Sequence, residues 1–334
     1  MTVDKPVRRR PATARLHDGV PSTEAAHPEP VEVARSTRNT TDLALYTFTA
    51  QRSAAEVIKA YSTSFSSATR LLAPQYRTGV TSIYALVRVA DEIVDGVAAQ
   101  AGLHPDEQLA QLDGLEAQTD QAMHTGFSTN LVVHAFAHTA RRAGIRKDLT
   151  APFFASMRAD LHTTHYGKED LGSYIYGSAE VVGLMCLRVF LAECPDRYDP
   201  AGRARLTEGA RRLGCAFQKV NFLRDLSDDL TDRGRDYFDV RSTFSESTKT
   251  ALVAEIDDDL AAAAAVIPQL PRGCRAAVTA AHDLFAALNQ QLRRASAEEL
   301  LVRRVRVPNR TKARILMAAI ARQQNPGATR RGRR

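Results

Sequence analysis

The chain has 334 residues, of which 44% are hydrophobic, so it can bury a sizeable core and is not disordered throughout. Its formal charge of +7 lies at the two ends: residues 1–40 carry seven Lys or Arg against five Asp or Glu, and residues 322–334 carry five Arg and no acid. The part between them is neutral, which excludes a basic nucleic-acid groove across the fold and leaves nucleic acid an unexpected partner.

Both ends are also rich in Pro, Arg, Ser, Thr and Gly and poor in large apolar residues. Such segments cannot offset the entropy of ordering, so we predict disordered tails over residues 1–40 and 322–334. One folded domain is predicted between them, over residues 41–321, because no change of composition inside that range requires a second domain.

The helix formers Ala, Leu, Arg, Glu and Gln dominate this domain, and alternating Val, Ile and Thr is nearly absent, so the predicted fold class is all-α. Helices are predicted, in chain order, over residues 53–63, 77–98, two within 105–143, 152–163, 171–192 and 201–232. Two or three more follow, divided near 268–273 and at Pro308, each at a Pro or Gly that interrupts a helix.

The four cysteines form no C-x-x-C pair and no dense framework, so neither a disulfide scaffold nor a zinc site is indicated. Reduced thiols and the absence of an apolar signal segment after Arg8, Arg9 and Arg10 predict a cytoplasmic protein. The longest apolar run, residues 181–192, is shorter than the roughly 20 residues of a membrane span, so any contact with a membrane is expected to be peripheral.

Asp91 and Asp95 lie four residues apart in a predicted helix, which puts both carboxylates on one face with about 6 Å between their Cβ atoms. Their neighbours are apolar, as in the wall of a bundle. At an effective dielectric constant near 20 the two charges repel by roughly 3 kcal/mol. A cation is therefore expected between them, and Arg88 lies one turn earlier.

Asn221, Asp225 and Asp229 form a second stripe, with Gln218 about one turn before it. Oxygen ligands without His or Cys suit a hard cation, and Mg²⁺ commonly lies between carboxylates and substrate phosphates. Arg224 can supply positive charge to a diphosphate, as can the arginine beside the first motif. One such motif is typical of a solvated helix face, but two together predict a site for a metal and a diphosphate.

These motifs resemble those of the phytoene and squalene synthase family, the head-to-head branch of the all-α isoprenoid synthases. The resemblance extends over residues 45–320 and is carried by YSTSF at 61–65, IYALVRVADEIVD at 83–95, YIY with VGLM within 174–185, and the stretch from 218 to 229 followed by GRDYF at 234–238. It implies a single-domain helical bundle of the isoprenoid synthase type with a central apolar cavity.

The resemblance also implies roles for individual residues. A magnesium cluster would be held on facing helices by Asp91, Asp95, Asn221, Asp225 and Asp229, of which the four aspartates are the predicted catalytic residues. The diphosphates or the nearby prenyl chains would contact Tyr61, Ser62, Thr63, Ser64, Tyr84, Arg88, Gln218 and Arg224. Tyr237 and the stretch 306–312 are further candidates for substrate binding and closure of the site.

The implied activity is the magnesium-dependent condensation of two farnesyl or geranylgeranyl diphosphates through a cyclopropyl diphosphate, as in a phytoene or dehydrosqualene synthase. Mn²⁺ is an alternative metal, and NADPH is implied only if the product is squalene. A squalene or presqualene diphosphate synthase is an alternative within the same enzyme class. A non-catalytic assembly or binding homologue is the alternative of another class, and the retained acidic residues argue against it.

The sequence departs from the family in one segment that bears on the product. Where the family usually has Val-Ala-Gly-Thr-Val-Gly, residues 178–183 read SAEVVG. Glu180 replaces a small residue on a helix that is expected to line the cavity, which leaves the shape of the substrate open. Farther along, the run Asp257, Asp258 and Asp259 is predicted to be a solvated helix start favoured by the helix dipole.

Overall fold

The structure is a computed structural model that describes residues 41–163, 168–228 and 244–324. Within these ranges every α-helical element is accounted for in chain order as follows: α1 (Asp42–Tyr61), α2 (Thr63–Thr69), α3 (Pro74–Val94), α4 (Val97–Gln100), α5 (Pro105–Thr125), α6 (Leu131–Ala143), α7 (Lys147–His162), α8 (Lys168–Ile175), α9 (Val181–Ala192), α10 (Pro200–Asp228), α11 (Glu246–Val266), α12 (Arg272–Arg294), α13 (Ala297–Val302) and α14 (Asn309–Gln324). A π-helical segment (Tyr176–Glu180) joins α8 to α9, and a short 3₁₀ helix (Ile267–Gln269) follows α11. The described part of the chain contains no strand, so the predicted all-α class is confirmed.

The chain divides into residues 1–40 and residues 41–334. The first unit, which is the predicted N-terminal tail, lies outside the described residues. The second contains every helix named above, and α14 continues to Gln324, beyond the predicted end of the domain at residue 321.

Several helices begin or end away from their predicted limits; α7, for example, begins at Lys147 rather than at residue 152 and contains Pro152. Two of the other shifts have a clear local reason. The first begins at Asp42 rather than near residue 53, because Thr41 caps it: the Thr41 hydroxyl accepts a hydrogen bond from the Ala44 amide at 3.2 Å. The predicted helix 77–98 ends earlier, at Val94, because Asp95 is its C-cap and Gly96 follows with a φ of 115°.

The hydrophobic core consists mainly of two clusters of buried residues. The larger lies among α3, α5, α6, α7 and α9 and contains the side chains of Ile83, Phe136 and Phe153 at 1% exposure or less. The second lies among α10, α11 and α12 and includes Leu223 and Ile256, both fully buried. Burying side chains of this size stabilises the fold by roughly 1.5–3 kcal/mol each before entropy is counted.

Two glycines allow α10 to pack directly on the backbone of the π segment and α9. A Cβ atom at Gly214 would lie 2.6 Å from the carbonyl oxygen of Ala179, and one at Gly183 would lie 2.7 Å from that of Ala210. Real Cβ contacts are not that short, so a larger residue at either position would push the two elements apart. This close packing builds one wall of the cavity described below.

One helical stretch in the described part, Asp170–Ala192, is long and apolar enough to cross a membrane by length and composition alone. It has a mean hydropathy of 1.6, and 44% of its most apolar window is buried inside the fold. It comprises most of α8, the π segment and α9, whose residues Val181 and Met185 belong to the larger core cluster. Those contacts are typical of the core helix of a bundle.

The predicted solvated helix start at Asp257, Asp258 and Asp259 is wrong. The three residues lie in the middle of α11, whose start is capped by the Ser245 hydroxyl. Asp259 is only 2% exposed and contacts two cations of α10, Arg212 at 2.9 Å and Lys219 at 3.1 Å. This acidic run therefore contributes to the interface between α10 and α11, and the composition of the run alone does not reveal that interface.

Candidate active site

A cavity of about 980 Å³ lies between the two core clusters and takes lining residues from both. Most of its lining residues are apolar, and its walls include α2, α3, α9, α10, α11 and α12. Six of the residues predicted from the acidic motifs and their arginines line the same cavity: Arg88, Asp91, Asp95, Asn221, Arg224 and Asp225. The structure therefore brings the two separated motifs to one chamber.

The first acidic motif lies at the C-terminal end of α3. Asp91 is in the last turn, and Asp95 caps the helix by donating its amide to the Asp91 carbonyl at 2.8 Å. This hydrogen bond keeps the two aspartates one turn apart although the helix ends between them. Because Gly96 then turns the chain away, both carboxylates stay at the wall of the cavity.

Arg88 is held by several groups at once. Its guanidinium contacts the carboxylate of Glu92, lies 4.0 Å from that of Asp91, and stands over the ring of Tyr61 at 4.6 Å from the ring centroid. Its Nε is buried and has no hydrogen-bond partner among the described residues. A buried donor of this kind normally finds a partner, so Arg88 Nε is a candidate donor for an acceptor that the described residues do not supply.

The second acidic motif lies on α10. Asn221 and Asp225 are one turn apart, and the Arg224 guanidinium donates two hydrogen bonds of 2.8 and 2.5 Å to the Asp225 carboxylate. Arg304 reaches the same carboxylate from the segment between α13 and α14, with 2.7 Å between its Nε and the Asp225 Oδ1. Asp225 thus lies between two cations, a charge arrangement that a diphosphate with its metal could also satisfy.

Arg304 was not among the predicted site residues. It lies just before the predicted closing stretch 306–312, three residues of which, Arg306, Asn309 and Lys312, also line the cavity. The available signal was the repetition of Arg and Lys between residues 303 and 314, but nothing local to Arg304 indicates that it reaches α10.

Several other predicted substrate-binding residues lie at the cavity wall, namely Tyr61, Ser62, Tyr84 and Gln218. Burial raises the pKa of Tyr84 above its usual range, whereas the nearby Arg88 and the Ser62 side chain oppose this rise. Ser62 is also the N-cap of α2, because its hydroxyl accepts a hydrogen bond from the Phe65 amide at 3.0 Å.

Four predicted residues cannot be placed in the same way. Thr63 and Ser64 belong to the first turn of α2, but their side chains lie outside the described residues. Asp229 and Tyr237 lie outside the described ranges altogether. Their predicted roles stay predictions.

An aromatic cluster, which the sequence did not reveal, lines the cavity next to the polar groups. Phe217 of α10 stacks on Phe285 of α12 with 3.8 Å between ring centroids, and Phe65 of α2 contacts both rings. Phe65 also faces Tyr84 at 6.3 Å. Ring faces attract cations when water is excluded, so this part of the cavity favours a positively charged group.

The expectation that Glu180 alters the cavity needs correction. Its neighbours Ser178, Ala179, Val182 and Gly183 line the chamber, whereas Glu180 does not. Its carboxylate pairs with Arg211 of α10 at 2.8 Å, and Arg211 in turn lies over the ring of Tyr176. Glu180 therefore ties the π segment to α10 and leaves the lining apolar.

The donor set of the two motifs fits a hard cation such as Mg²⁺, since it offers carboxylate and amide oxygens and neither His nor Cys. Among the described residues no group of three or more His, Cys, Asp or Glu side chains lies close enough to hold a metal by itself. Mg²⁺ is usually bound by one or two carboxylates together with substrate phosphates. The arrangement therefore fits a cation shared with a bound diphosphate.

Two sequence relatives carry names that describe related chemistry. A 15-cis-phytoene synthase from Paracoccus sp. is 32% identical over 178 residues, which are 52% of this chain and 55% of that protein. A 4,4'-diapophytoene synthase from Staphylococcus haemolyticus is 28% identical over 186 residues, which are 55% of this chain and 60% of that protein. The matched region thus spans just over half the length of these relatives.

Two solved structures share the fold. A dehydrosqualene synthase crystallised with a ligand superposes with a TM-score of 0.69 at 21% identity, covering 85% of this chain and all of that one. A squalene synthase from Alicyclobacillus acidocaldarius superposes with a TM-score of 0.64 at 18% identity, covering 75% of this chain and 95% of that one. Both support the same helical architecture.

The family itself is established by the extent of the match. Residues 58–238 match squalene/phytoene synthase, a range that is more than half of the chain and contains both acidic motifs. With the cavity and the fold described above, this chain belongs to the squalene/phytoene synthase family.

Proposed function

We propose that this protein condenses two prenyl diphosphates head to head, with Mg²⁺, to give a phytoene-type or dehydrosqualene-type product. The observation that carries the proposal is the convergence of two carboxylate motifs and three arginines on the wall of one apolar cavity of about 980 Å³. A cavity of this volume lies at the upper end of the range for small-molecule sites, as two long apolar chains require. We propose farnesyl or geranylgeranyl diphosphate as the substrates.

Binding would begin with the charged groups. Arg88, Arg224 and Arg304 can donate charge-assisted hydrogen bonds to the diphosphate oxygens, and the orphan Nε of Arg88 supplies one donor that is not yet used. Asp91, Asp95, Asn221 and Asp225 would hold Mg²⁺, with Asp229 as a further predicted ligand. When bound, the metal supplies positive charge that stabilises the departing diphosphate.

In the first half-reaction the allylic C–O bond breaks, and the bonding electrons leave with the diphosphate toward the arginines. The resulting allylic cation lies in an apolar chamber beside the faces of Phe217 and Phe285. A double bond of the second chain attacks it, and loss of one proton closes the cyclopropane ring of a cyclopropyl diphosphate.

In the second half-reaction the remaining C–O bond breaks and the carbon skeleton rearranges. Loss of a second proton gives the triene, so that two diphosphates and two protons are released for each product. The apolar walls exclude water, which would otherwise capture either cation as an alcohol. Capture of a hydride instead of proton loss would give squalene, and only that outcome requires NADPH.

The proposal is tested with the purified full chain, Mg²⁺ or Mn²⁺, and farnesyl or geranylgeranyl diphosphate, with and without NADPH, followed by mass spectrometry of the product. We expect a hydrocarbon without NADPH from at least one chain length. Absence of turnover with both substrates by a folded protein would overturn the proposal and favour a non-catalytic homologue. A product formed only with NADPH would move the assignment to squalene synthesis.

The metal ligands are tested by Asp91→Asn and Asp225→Asn, which keep the side-chain size and remove the charge. Each variant is expected to lose about 10²- to 10³-fold in kcat, the usual effect of removing one group that stabilises developing charge. Asp106→Asn, in the exposed first turn of α5, is the matched control and should keep its rate. Full activity of both cavity variants would show that the metal is held elsewhere.

The role of Arg304 is tested by calorimetry with inorganic pyrophosphate and Mg²⁺. Arg304→Gln removes a charged donor and is expected to weaken binding by about 10-fold or more. The neighbouring Arg303→Gln is the control, because Arg303 pairs with Glu299 and does not line the cavity. Equal affinity of the two variants would exclude Arg304 from the diphosphate site.

The cytoplasmic location predicted from the sequence remains part of the proposal. All four cysteines stand as free thiols, and burial raises the pKa of Cys186, Cys215 and Cys274 to about 12. Thiols that stay protonated at neutral pH are poor nucleophiles, so these three are suited to packing rather than to redox chemistry.

A further inference from the structure

One buried lysine of α11 has no part in the cavity wall. Lys249 lies in the first turn of the helix, is only 2% exposed and does not line the cavity. Taking an ammonium group out of water is costly, and an apolar side chain of similar size often packs in its place without that cost. Packing alone therefore does not account for a lysine here, whereas its directional contacts can.

The contacts of Lys249 lie on both sides of the turn between α12 and α13. Its Nζ donates to the carbonyl oxygen of Ala295, the C-cap of α12, and pairs with Glu246 at 2.5 Å. The other carboxylate oxygen of Glu246 accepts the amide of Ala297, the first residue of α13, at 2.9 Å. Together the two side chains hold the residue before Ser296 and the residue after it. We call Glu246 and Lys249 the α11 clamp.

The charges of the α11 clamp support its hydrogen bonds. The bond from Lys249 and that from the Ala297 amide lower the pKa of Glu246, so this side chain is a carboxylate at neutral pH. A cation at the C-terminal end of a helix is also favoured by the helix dipole, and Lys249 lies at the end of α12. The clamp therefore joins three helices through charge-assisted hydrogen bonds.

The place of Arg304 depends on the helix that the clamp holds. Arg304 lies two residues beyond the end of α13 at Val302, in the stretch 303–308 that belongs to no helix, and its Nε is 2.7 Å from the Asp225 carboxylate. The six residues of α13 rise about 9 Å, so a tilt of about 10° at its start moves its far end by about 1.5 Å. A hydrogen bond tolerates only a few tenths of an ångström. A small tilt of α13 would thus separate Arg304 from its partner.

Apolar packing also holds α13. Leu300 is 1% exposed and belongs to the second core cluster, together with Leu223 of α10. Such contacts resist separation, but they are not directional and permit small rotations that hydrogen bonds at the start of the helix do not. The clamp supplies the orientation that the apolar contacts leave open.

We propose that Glu246 and Lys249 are positioning residues, which fix the start of α13 and thereby hold Arg304 at the diphosphate site. Neither side chain lines the cavity, so their effect on ligand binding passes through Arg304. The inference rests on the proposed function in one respect, the role of Arg304 as a donor to the diphosphate. It adds a task for a buried ion pair that lies outside the cavity.

Binding of inorganic pyrophosphate with Mg²⁺ to the full chain, measured by calorimetry, tests the inference without turnover. Lys249→Met keeps the approximate length of the side chain and removes the ammonium group. It is expected to weaken binding about fivefold, less than the loss expected for Arg304→Gln, because a misplaced donor is weakened rather than removed.

The decisive comparison is a double-mutant cycle with Arg304→Gln. If the clamp acts through Arg304, adding Lys249→Met to Arg304→Gln should lower the affinity no further. Losses that multiply, or a Lys249→Met protein that binds as the unchanged one does, would overturn the inference and leave the role of Arg304 intact. Normal binding by Arg304→Gln itself would overturn both, since the clamp would then have no donor to position.

A second variant tests the exposed end of the clamp, where a change of side chain leaves the core untouched. Glu246→Ala should weaken binding about 2- to 5-fold, although the loss of a negative charge by itself strengthens the binding of an anion. Glu298→Ala is the matched control, because it removes an exposed glutamate from the first turn of α13 and should bind at least as tightly as the unchanged protein. Equal affinities of the two glutamate variants would mean that charge alone governs binding and would refute the role of the clamp.

Asp259→Asn controls for a loss of stability, because it also removes a fully buried charge from α11. Both Asp259→Asn and Lys249→Met should lower the urea midpoint measured by circular dichroism, but only the lysine variant should lose affinity for pyrophosphate. Binding that weakens equally in both variants would show that any loosening of α11 is sufficient, and Lys249 would then have no positioning role of its own.

Discussion

The buried ion pairs between α10 and α11 give the sharpest test of how this fold is held together. Asp259 is 2% exposed and faces Lys219 at 3.1 Å and Arg212 at 2.9 Å. Asp259→Asn keeps the size of the side chain and removes its charge. Lys219, whose side chain is only 16% exposed, then loses its more buried partner and keeps Glu255 at 3.0 Å.

The expected loss of unfolding free energy is about 2–3 kcal/mol. Removing one partner of a fully buried pair costs roughly 3–5 kcal/mol. Two features lower this value here: Lys219 retains an acidic partner, and Arg212 is 40% exposed, so water already screens its contribution.

The measurement is the denaturation of each variant in urea, followed by circular dichroism, with refolding checked. Asp258→Asn is the matched control, because Asp258 is the exposed neighbour on the same helix, and it should change stability by less than about 0.5 kcal/mol. Combining Asp259→Asn with Lys219→Met in a double-mutant cycle should give a coupling energy of at least about 1 kcal/mol. Equal stability of the two single variants, or no coupling, would refute the reasoning.

Three other predictions concern stability and product. Gly214→Ala should destabilise the fold by about 1–3 kcal/mol, because its Cβ would meet the π-segment backbone, whereas Gly114→Ala in α5 meets nothing within 4 Å and should stabilise it by up to about 1 kcal/mol in the same urea assay. Burial lowers the pKa of His134 below the unfolded value near 6.5, so the unfolded chain takes up a proton on this group at a higher pH than the folded chain does. The contribution of His134 to the unfolding free energy is therefore present above about pH 6.5 and is lost as the pH falls below it. His134→Gln should make the unfolding free energy depend less steeply on pH in this range. Glu180→Gly should leave the product spectrum unchanged in mass spectrometry and lower only stability, because Glu180 pairs with Arg211 outside the cavity.

The sequence predicted the elements whose signals are local. Periodic apolar residues indicated the helical class, and the spacing of Asp91 with Asp95 and of Asn221 with Asp225 indicated two oxygen-rich stripes. The resemblance to a family then implied that the stripes face each other, and the structure brings all four residues to one cavity.

What the sequence could not predict depends on contacts between distant segments. Arg304 is separated from Asp225 by 79 positions and reaches it only because the chain returns across the cavity after α13. The sequence around Asp259 would read the same if these acids were solvated, so it does not reveal that they pack against α10. Glu180 was expected to matter for the cavity because it sits on a lining helix, yet the adjacent Arg211, on another helix, decides where its side chain lies.

Chain length of the substrate can be reasoned from the lining of α10. Asp225, Gly214 and Ala210 all line the cavity, and at 1.5 Å per residue Gly214 lies about 16 Å and Ala210 about 22 Å from Asp225 along the helix. At about 1.2 Å per bond, as in an extended polypeptide, a farnesyl chain spans roughly 13 Å and a geranylgeranyl chain roughly 18 Å, to which the diphosphate adds about 4–5 Å. If the proposed prenyl chains run along α10 from a diphosphate at Asp225, the shorter one would end near Gly214 and the longer one near Ala210.

Ala210→Leu should consequently exclude geranylgeranyl diphosphate while sparing farnesyl diphosphate. We expect the ratio of kcat/KM for the two substrates to move toward the shorter chain by about 10-fold or more, because the added carbons occupy space that only the longer chain uses. Ala204→Leu, the same substitution at an exposed position of α10, is the control and should leave the ratio unchanged. An equal loss with both substrates would mean that the chains do not run along α10, since a chain ending at Gly214 cannot meet a side chain about one turn beyond it.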